Sequence, residues 1–152
     1  MYICRWFVLC ETVVFDHFSS NLTMVNAITE LHVPSFPGLY PRFAFASLLE
    51  KQEESKGPLS LRFVRENESG YEVLLTIENN IEPIENKIGA RKAQFFMNFP
   101  LGIRLLNEGK ITFHIEAREG EADWYPVGSQ NIQVSLTVQQ GVGVTEGERE
   151  PR

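Results

Sequence analysis

Three histidines and a short Asp-His-Ser segment are the residues of this sequence that could most readily do chemistry. The histidines are His17, His32 and His114. No two of them have the spacing of metal ligands, and a metal site needs three or four converging donors. Asp16 and His17 stand close to Ser19 and Ser20, which together are the residue types of a hydrolase triad. Because no nucleophile-elbow pattern accompanies them, we interpret the segment as a polar turn.

The two cysteines, Cys4 and Cys10, occur six residues apart in an apolar run that reads as a single strand. Extended chain rises about 3.3 Å per residue, which separates their Cα atoms by about 20 Å. A disulfide spans at most about 7 Å, so the two cannot bridge each other. An even spacing places both on one face of the strand. Apolar surroundings raise a thiol pKa, and we therefore predict buried, structural thiols.

Acidic residues concentrate in two predicted loops. One group contains Glu78, Glu82 and Glu85, and the other contains Glu119, Glu121 and Asp123. Loops of a β-sandwich can bind Ca²⁺, which takes six to eight oxygen ligands. Asp, the shorter loop ligand, occurs only at Asp16 and Asp123. We interpret both groups as solvated loops and predict no metal and no cofactor.

Large aromatic side chains in two predicted connections are the candidate binding residues. Trp124 and Tyr125 lie in a polar connection, and Phe36 and Tyr40 lie in a proline-rich one. Binding surfaces favour Trp and Tyr, and loops on a rigid scaffold often carry recognition. Loop aromatics can also fold back and cap a core, because buried apolar area stabilises by about 25 cal/mol per Å². Both roles are open at this point.

Apolar residues recur at every second position through most of the chain, for example in 71–77, 93–99, 111–117 and 132–138. A period of two is typical of a strand with one buried face. Eight such strands are predicted, at 2–14, 22–33, 42–49, 59–64, 71–78, 92–99, 110–117 and 131–138. No long amphipathic helix separates them, as parallel βαβ units would require. The sequence predicts an all-β fold, a single antiparallel β-sandwich that is immunoglobulin-like or C2-like.

The predicted connections and termini complete the domain organisation. Pro34, Pro37 and Pro41 are expected to prevent regular pairing across 34–41, and an acidic connection covers 119–129. The sandwich domain is expected to span 1–138. Residues 139–152 are rich in Gly, Glu and Arg, and we predict a disordered tail there.

Composition excludes several classes of function. The chain has 152 residues and a formal net charge of −6, whereas nucleic-acid affinity rests on Lys and Arg neutralising phosphates. No segment reaches the roughly 18 apolar residues of a membrane helix. Arg5 interrupts the first apolar run and no cleavage-site pattern follows it. We predict a cytoplasmic protein that binds neither nucleic acid nor membrane.

Several short motifs resemble an uncharacterised family of small bacterial β-sandwich proteins, a domain of unknown function. They are Cys10-Glu11, the strand that ends at Pro34, Phe36-Pro37, Tyr40-Pro41-Arg42, Phe99-Pro100, and Glu108-Gly109-Lys110 followed by Ile111-Thr112-Phe113-His114-Ile115. The similarity covers roughly residues 2–138. The family more usually has a glycine-rich approach to the penultimate strand, where this chain has Leu105-Leu106-Asn107. The resemblance implies a bacterial, non-enzymatic sandwich and supplies no functional residues.

We expect a non-enzymatic interaction module that binds another protein through its loops or a strand edge. Trp124, Tyr125, Phe36 and Tyr40 are the predicted site residues. The alternative is a carbohydrate- or Ca²⁺-dependent ligand-binding domain. An enzyme would require Asp16, His17 and a serine to converge in a pocket.

Overall fold

The alternating pattern of the sequence folds into strands throughout the part of the chain that the structure describes. In the computed structural model this part comprises residues 1–52, 58–81, 84–85 and 91–138. The strands are β1 (Tyr2–Asp16), β2 (Asn21–Ala27), β3 (Glu30–Val33), β4 (Gly38–Tyr40), β5 (Phe43–Lys51), β6 (Leu59–Asn67), β7 (Gly70–Ile81), β8 (Ile84–Glu85), β9 (Arg91–Phe99), β10 (Ile103–Leu105), β11 (Gly109–Glu119) and β12 (Tyr125–Leu136). The all-β prediction is confirmed. The expected number of about eight was too low, because short strands also form in segments that we interpreted as loops.

These strands form three sheets, none of them closed. The first sheet has the order β2-β1-β5-β9-β8, the second has β3-β12-β11-β6-β7, and a small sheet pairs β10 with β4. Neighbouring strands run antiparallel except β3 and β12, which are parallel. A wholly antiparallel arrangement was therefore a wrong prediction. The reason lies at Asn26, whose φ of 53° breaks the predicted strand 22–33 in two and sends its second half to the other sheet.

A group of phenylalanine rings lies between the two five-stranded sheets. Phe45 of the first sheet stacks on Phe63 of the second at 4.3 Å between ring centroids. Phe63 stacks in turn on Phe113 at 5.5 Å, and Phe43 lies 5.1 Å from Phe113. All four rings are at most 1% exposed. The inner faces of both sheets thus contribute to one continuous hydrophobic cluster.

A second, smaller cluster lies on the outer face of the first sheet. Its buried members are Cys10, Val13, Ala44 and Ala46, and Trp6, Leu22 and Phe96 pack against it. β1 pairs with β5 only as far as Cys10 and then continues with β2 alone, and Val13 and Leu22 of this continuation pack on the sheet. We call residues 11–27, the hairpin that projects from this point, the arm.

One side-chain amide attaches the arm to the first sheet. The Val13 N–H donates to Asn98 Oδ1 at 2.8 Å, and Asn98 Nδ2 donates to the Val13 carbonyl at 2.9 Å. The amide therefore replaces the peptide group that a neighbouring strand would supply. Phe15 also stacks on Phe96 of β9 at 5.7 Å. These contacts hold the arm over the sheet.

A β-bulge in β1 separates the two cysteines. The pairing of β1 with β5 shifts by one residue between Cys4 and Trp6. A shift of one residue moves the side chains that follow to the other face. Cys4 packs into the main core and Cys10 into the outer cluster, so the prediction that they share a face was wrong. Both thiols are free, as predicted, and burial raises the pKa of each.

One strand of the small sheet, β4, lies in the proline-rich segment that we expected to be irregular. Tyr40 pairs with Ile103, and Gly38 pairs with Leu105. The prediction of no regular pairing across 34–41 was wrong because the prolines flank these three residues and do not interrupt them. Gly102 allows the close approach: its φ is +65°, and a Cβ there would lie 2.0 Å from the Tyr40 carbonyl oxygen. Only glycine fits this position without displacing backbone.

The predicted tail, 139–152, lies outside the described residues. Among the described residues there is no candidate for a membrane-spanning helix.

Replacing Phe63 by alanine is expected to lower the free energy of unfolding by about 3–5 kcal/mol, because Phe63 contacts rings from both sheets. Phe18→Ala is the matched control, since the Phe18 side chain is fully exposed at the tip of the arm. That variant should stay within about 0.5 kcal/mol of wild type. Urea denaturation monitored by circular dichroism measures the free energy of unfolding of both variants. Equal decreases in the two variants would contradict the assigned core.

Candidate functional site

The four predicted aromatic residues do not form one site. The Tyr2 N–H donates to Tyr125 Oη at 3.0 Å, whereas the Tyr40 hydroxyl donates to Glu11 Oε1 at 3.4 Å. Tyr2 and Glu11 are nine residues apart on β1, which corresponds to about 30 Å of extended chain. The two connections therefore lie at opposite ends of the sheets.

Tyr125 links the two five-stranded sheets, because it lies in β12 of the second and accepts a hydrogen bond from Tyr2 of the first. Strand β12 begins at this residue, so the predicted connection 119–129 is shorter than expected. The half-buried ring packs against the main core, and its hydroxyl donates to Glu119 Oε1 at 3.0 Å. Burial, assisted by Glu119, raises the pKa of Tyr125 to about 12. Its contacts are those of a residue that caps the core.

Phe36 and Tyr40 cap the core at the other end. Both are half-buried and pack against the main hydrophobic cluster. Phe36 precedes Pro37 with a cis peptide bond, and Tyr40 lies in the small sheet. Burial, together with the nearby Glu11 carboxylate, raises the pKa of Tyr40. Of the two roles open from the sequence, these contacts favour capping.

Trp124 lies on the outer face of the second sheet. Tyr125 turns toward the core, and the preceding side chain therefore points the opposite way. The ring is half-buried, and two guanidinium groups lie over it: Arg62 at 4.7 Å and Arg118 at 4.6 Å from the ring centroid. Such cation–π contacts contribute about 0.5–1 kcal/mol each at exposed sites.

Neighbouring strands complete this surface. Arg62 forms an ion pair with Glu116, and the Tyr71 hydroxyl donates to Glu116 Oε2 at 2.7 Å. The Arg62 guanidinium also lies 5.6 Å from the Tyr71 ring centroid. Burial and the Glu116 carboxylate raise the pKa of Tyr71 to about 12. We call Arg62, Tyr71, Glu116, Arg118 and Trp124 together the Trp124 patch.

Sequence reasoning identified only Trp124 of this patch. The predicted strands 59–64 and 110–117 carried a signal that could have placed Arg62 and Glu116 on an outer face, because both alternate with apolar residues. Arg118 lies one residue beyond the predicted strand. The missing information was the order of strands. Register pairing sets Glu116 opposite Arg62, a long-range contact that a local pattern does not reveal.

The Asp-His-Ser segment forms the turn at the tip of the arm. Asp16 Oδ1 accepts from the Phe18 N–H at 2.9 Å, and the Ser19 hydroxyl donates to Asp16 Oδ2 at 2.6 Å. The hydrogen bond from Ser19, followed by that from Phe18, lowers the pKa of Asp16. The His17 ring packs edge-on against Phe15 at 4.8 Å. These contacts agree with the interpretation as a polar turn.

The acidic groups are divided among other contacts. Glu119 is buried beside Tyr125, and Glu78 lies 3.4 Å from Arg118. Glu82 lies outside the described residues. His114 is on the outer face, 2.9 Å from Glu66. Among the described residues, no three His, Cys, Asp or Glu side chains are grouped so that they could hold a metal ion.

The fold and surface thus define an all-β protein with an aromatic and charged patch on one sheet. The chain belongs to DUF6941, a family of unknown function, whose model matches residues 5–139. This confirms the resemblance to a domain of unknown function. Among curated proteins, none matches the sequence significantly.

The raised pKa of Tyr125 predicts a loss of stability in alkali. An unfolded tyrosine ionises near pH 10, whereas Tyr125 keeps its proton to about pH 12. Between these values the unfolded chain has released a proton that the folded chain retains, so the free energy of unfolding falls as pH rises. Tyr125→Phe should show a shallower fall above pH 10 in urea melts. If the free energy of unfolding falls equally steeply with pH in the variant and the wild type, the buried environment assigned to Tyr125 is contradicted.

Proposed function

We propose that this chain is a bacterial, cytoplasmic β-sandwich without enzymatic activity that binds another protein through the Trp124 patch. The observation that carries the proposal is the position of Trp124. Its ring is half-exposed on a sheet face, outside the core, and two arginines hold it in place. The sandwich is supported by the single cluster to which both sheets contribute.

The composition of the patch suits protein binding. Residues that dominate binding energy are enriched in Trp, Tyr and Arg and cluster together. Here Tyr71 and the two arginines lie on the neighbouring strands β7, β6 and β11 of one sheet, and Trp124 directly precedes β12. Rigid strands position such groups more accurately than loops do.

The contacts within the patch also reduce the cost of binding. Ordering a long side chain at an interface costs about 0.5–1.5 kcal/mol. Arg62 is already fixed by Glu116 and by two aromatic rings, and Tyr71 is fixed by the same carboxylate. Little side-chain freedom remains to be lost when a partner binds.

Arg118 is the member of the patch with an ion pair that a partner could replace. Its Nη2 lies 3.4 Å from Glu78, whose side chain is 62% exposed, so this surface pair is weak. A carboxylate or carbonyl of a partner can therefore replace Glu78. Trp124 would hold the guanidinium in place during that exchange.

Trp124→Ala is expected to reduce partner binding with a modest loss of stability, about 1–2 kcal/mol from the two cation–π contacts. A photoreactive amino acid at Thr76, which pairs with Arg62, should cross-link to another protein in host cells. The same label at Gln94, exposed on the first sheet, should not give this product. Mass spectrometry identifies the adduct, and Trp124→Ala should remove it.

Trp6→Ala is the matched control, because Trp6 is the other tryptophan and packs on the outer cluster of the first sheet. It should lower the melting temperature and leave the cross-link at Thr76 unchanged. A cross-link that persists in Trp124→Ala, or that Trp6→Ala abolishes equally, would refute the proposed site.

A further inference from the structure

The free edge of the arm is a second surface of the molecule, independent of the Trp124 patch. Within the described residues, β2 has a neighbouring strand on one side only. An edge strand presents a row of unpaired N–H and C=O groups that can pair with another strand. Proteins usually protect such edges with lysine, proline or a bulge. The sequence of β2, Asn-Leu-Thr-Met-Val-Asn-Ala, has no charged residue and no proline.

Three large apolar side chains around this edge are exposed. Met24 is 39% exposed, Val25 is 40% exposed and Val14, on the adjoining strand, is 52% exposed. Isolated two-stranded hairpins are marginally stable in water. The two hydrogen bonds of Asn98 and the stacking of Phe15 on Phe96 hold this hairpin in place. The edge is therefore ordered before any partner arrives.

We propose that β2 pairs with β2 of a second copy of this chain, antiparallel about a two-fold axis, so that the two first sheets become one continuous sheet. Symmetric dimers use the same surface on both copies, and an antiparallel strand pair satisfies that symmetry. The proposal does not depend on the function assigned to the Trp124 patch.

The backbone sets the register of this pair. Ser20 and Asn26 have φ values of 56° and 53°, and these left-handed residues bracket five residues, 21–25. A two-fold axis through the middle of that segment places Thr23 opposite Thr23 of the second copy. Leu22 then lies opposite Met24, and Asn21 lies opposite Val25. The two-fold axis repeats the apolar pair of Leu22 and Met24, and no residue of 21–25 is charged.

Charge distinguishes this edge from the other described edges of the two five-stranded sheets. In the second sheet, the edge strand β7 carries Glu72 and Glu78 and no basic residue. Self-pairing there would bring carboxylates together in a chain of net charge −6, and like charges across strands are destabilising. The edge strand β3 has only four residues, including Glu30. β8, the other edge of the first sheet, has only two residues, of which one is Glu85. Among the described edge strands of the two five-stranded sheets, β2 is therefore the one without a charged residue.

The full-length chain tests the proposal by sedimentation velocity and by light scattering during gel filtration. The wild-type mass should approach twice that of the monomer as concentration rises. Thr23→Lys places two cations at the axis and should weaken the dimer by about tenfold or more. Thr76→Lys, an exposed threonine on the β7 edge, is the control and should leave the dimer unchanged. A monomer at all concentrations, or loss of the dimer only in Thr76→Lys, overturns the proposal.

Oxidative cross-linking tests the register and stays informative if the lysine variant folds poorly. Thr23→Cys should form a disulfide-linked dimer, because directly opposed residues lie about 4.5–5.5 Å apart between Cα atoms, within disulfide range. Val25→Cys should not, since in this register its two copies are offset by four residues, about 13 Å. The wild type, with its buried Cys10 and half-buried Cys4, gives the background. Equal cross-linking of both variants would refute the two-fold register. Cross-linking of Thr23→Cys no greater than the wild-type background would refute the pairing of β2 with a second copy.

Discussion

Stacking of Phe45 on Phe63 joins the two five-stranded sheets across the core. Each ring belongs to a central strand of a different sheet, and the two stack face to face with their centroids 4.3 Å apart. Further phenylalanines, Phe43, Phe99 and Phe113, extend the group along the interface. Core packing constrains the side chains of the two inner faces only. The side chains of the two outer faces can therefore differ in character.

The two outer faces have indeed become different surfaces. On the second sheet, charged and aromatic side chains pair with one another, with Glu116 joined to both Arg62 and Tyr71. On the first sheet, small residues such as Ala44 and Ala46 leave room for the arm to lie across the strands. One outer face thus presents the Trp124 patch, and part of the other is covered by the arm.

Local pattern predicted the strands well and their arrangement poorly. A period of two is a property of each segment by itself, so β5, β9 and β11 lie close to where the sequence placed them. The bulge near Arg5, the parallel pairing of β3 and the small sheet of β4 with β10 arise from contacts between distant segments. None of these leaves a periodic signal. The same distinction applies to the candidate site. Trp124 was recognisable by its residue type, but the arginines beside it are set by strand order. Tyr125, one residue further along, caps the core instead.

The attachment of the arm by Asn98 has a chemical consequence. The amide works because it offers a donor and an acceptor side by side, matching the N–H and C=O of Val13. Deamidation would replace the donor with a second acceptor oxygen and place a negative charge beside the Val13 carbonyl. The arm would then remain attached through Phe15 on Phe96 and through Val13 and Leu22 in the outer cluster.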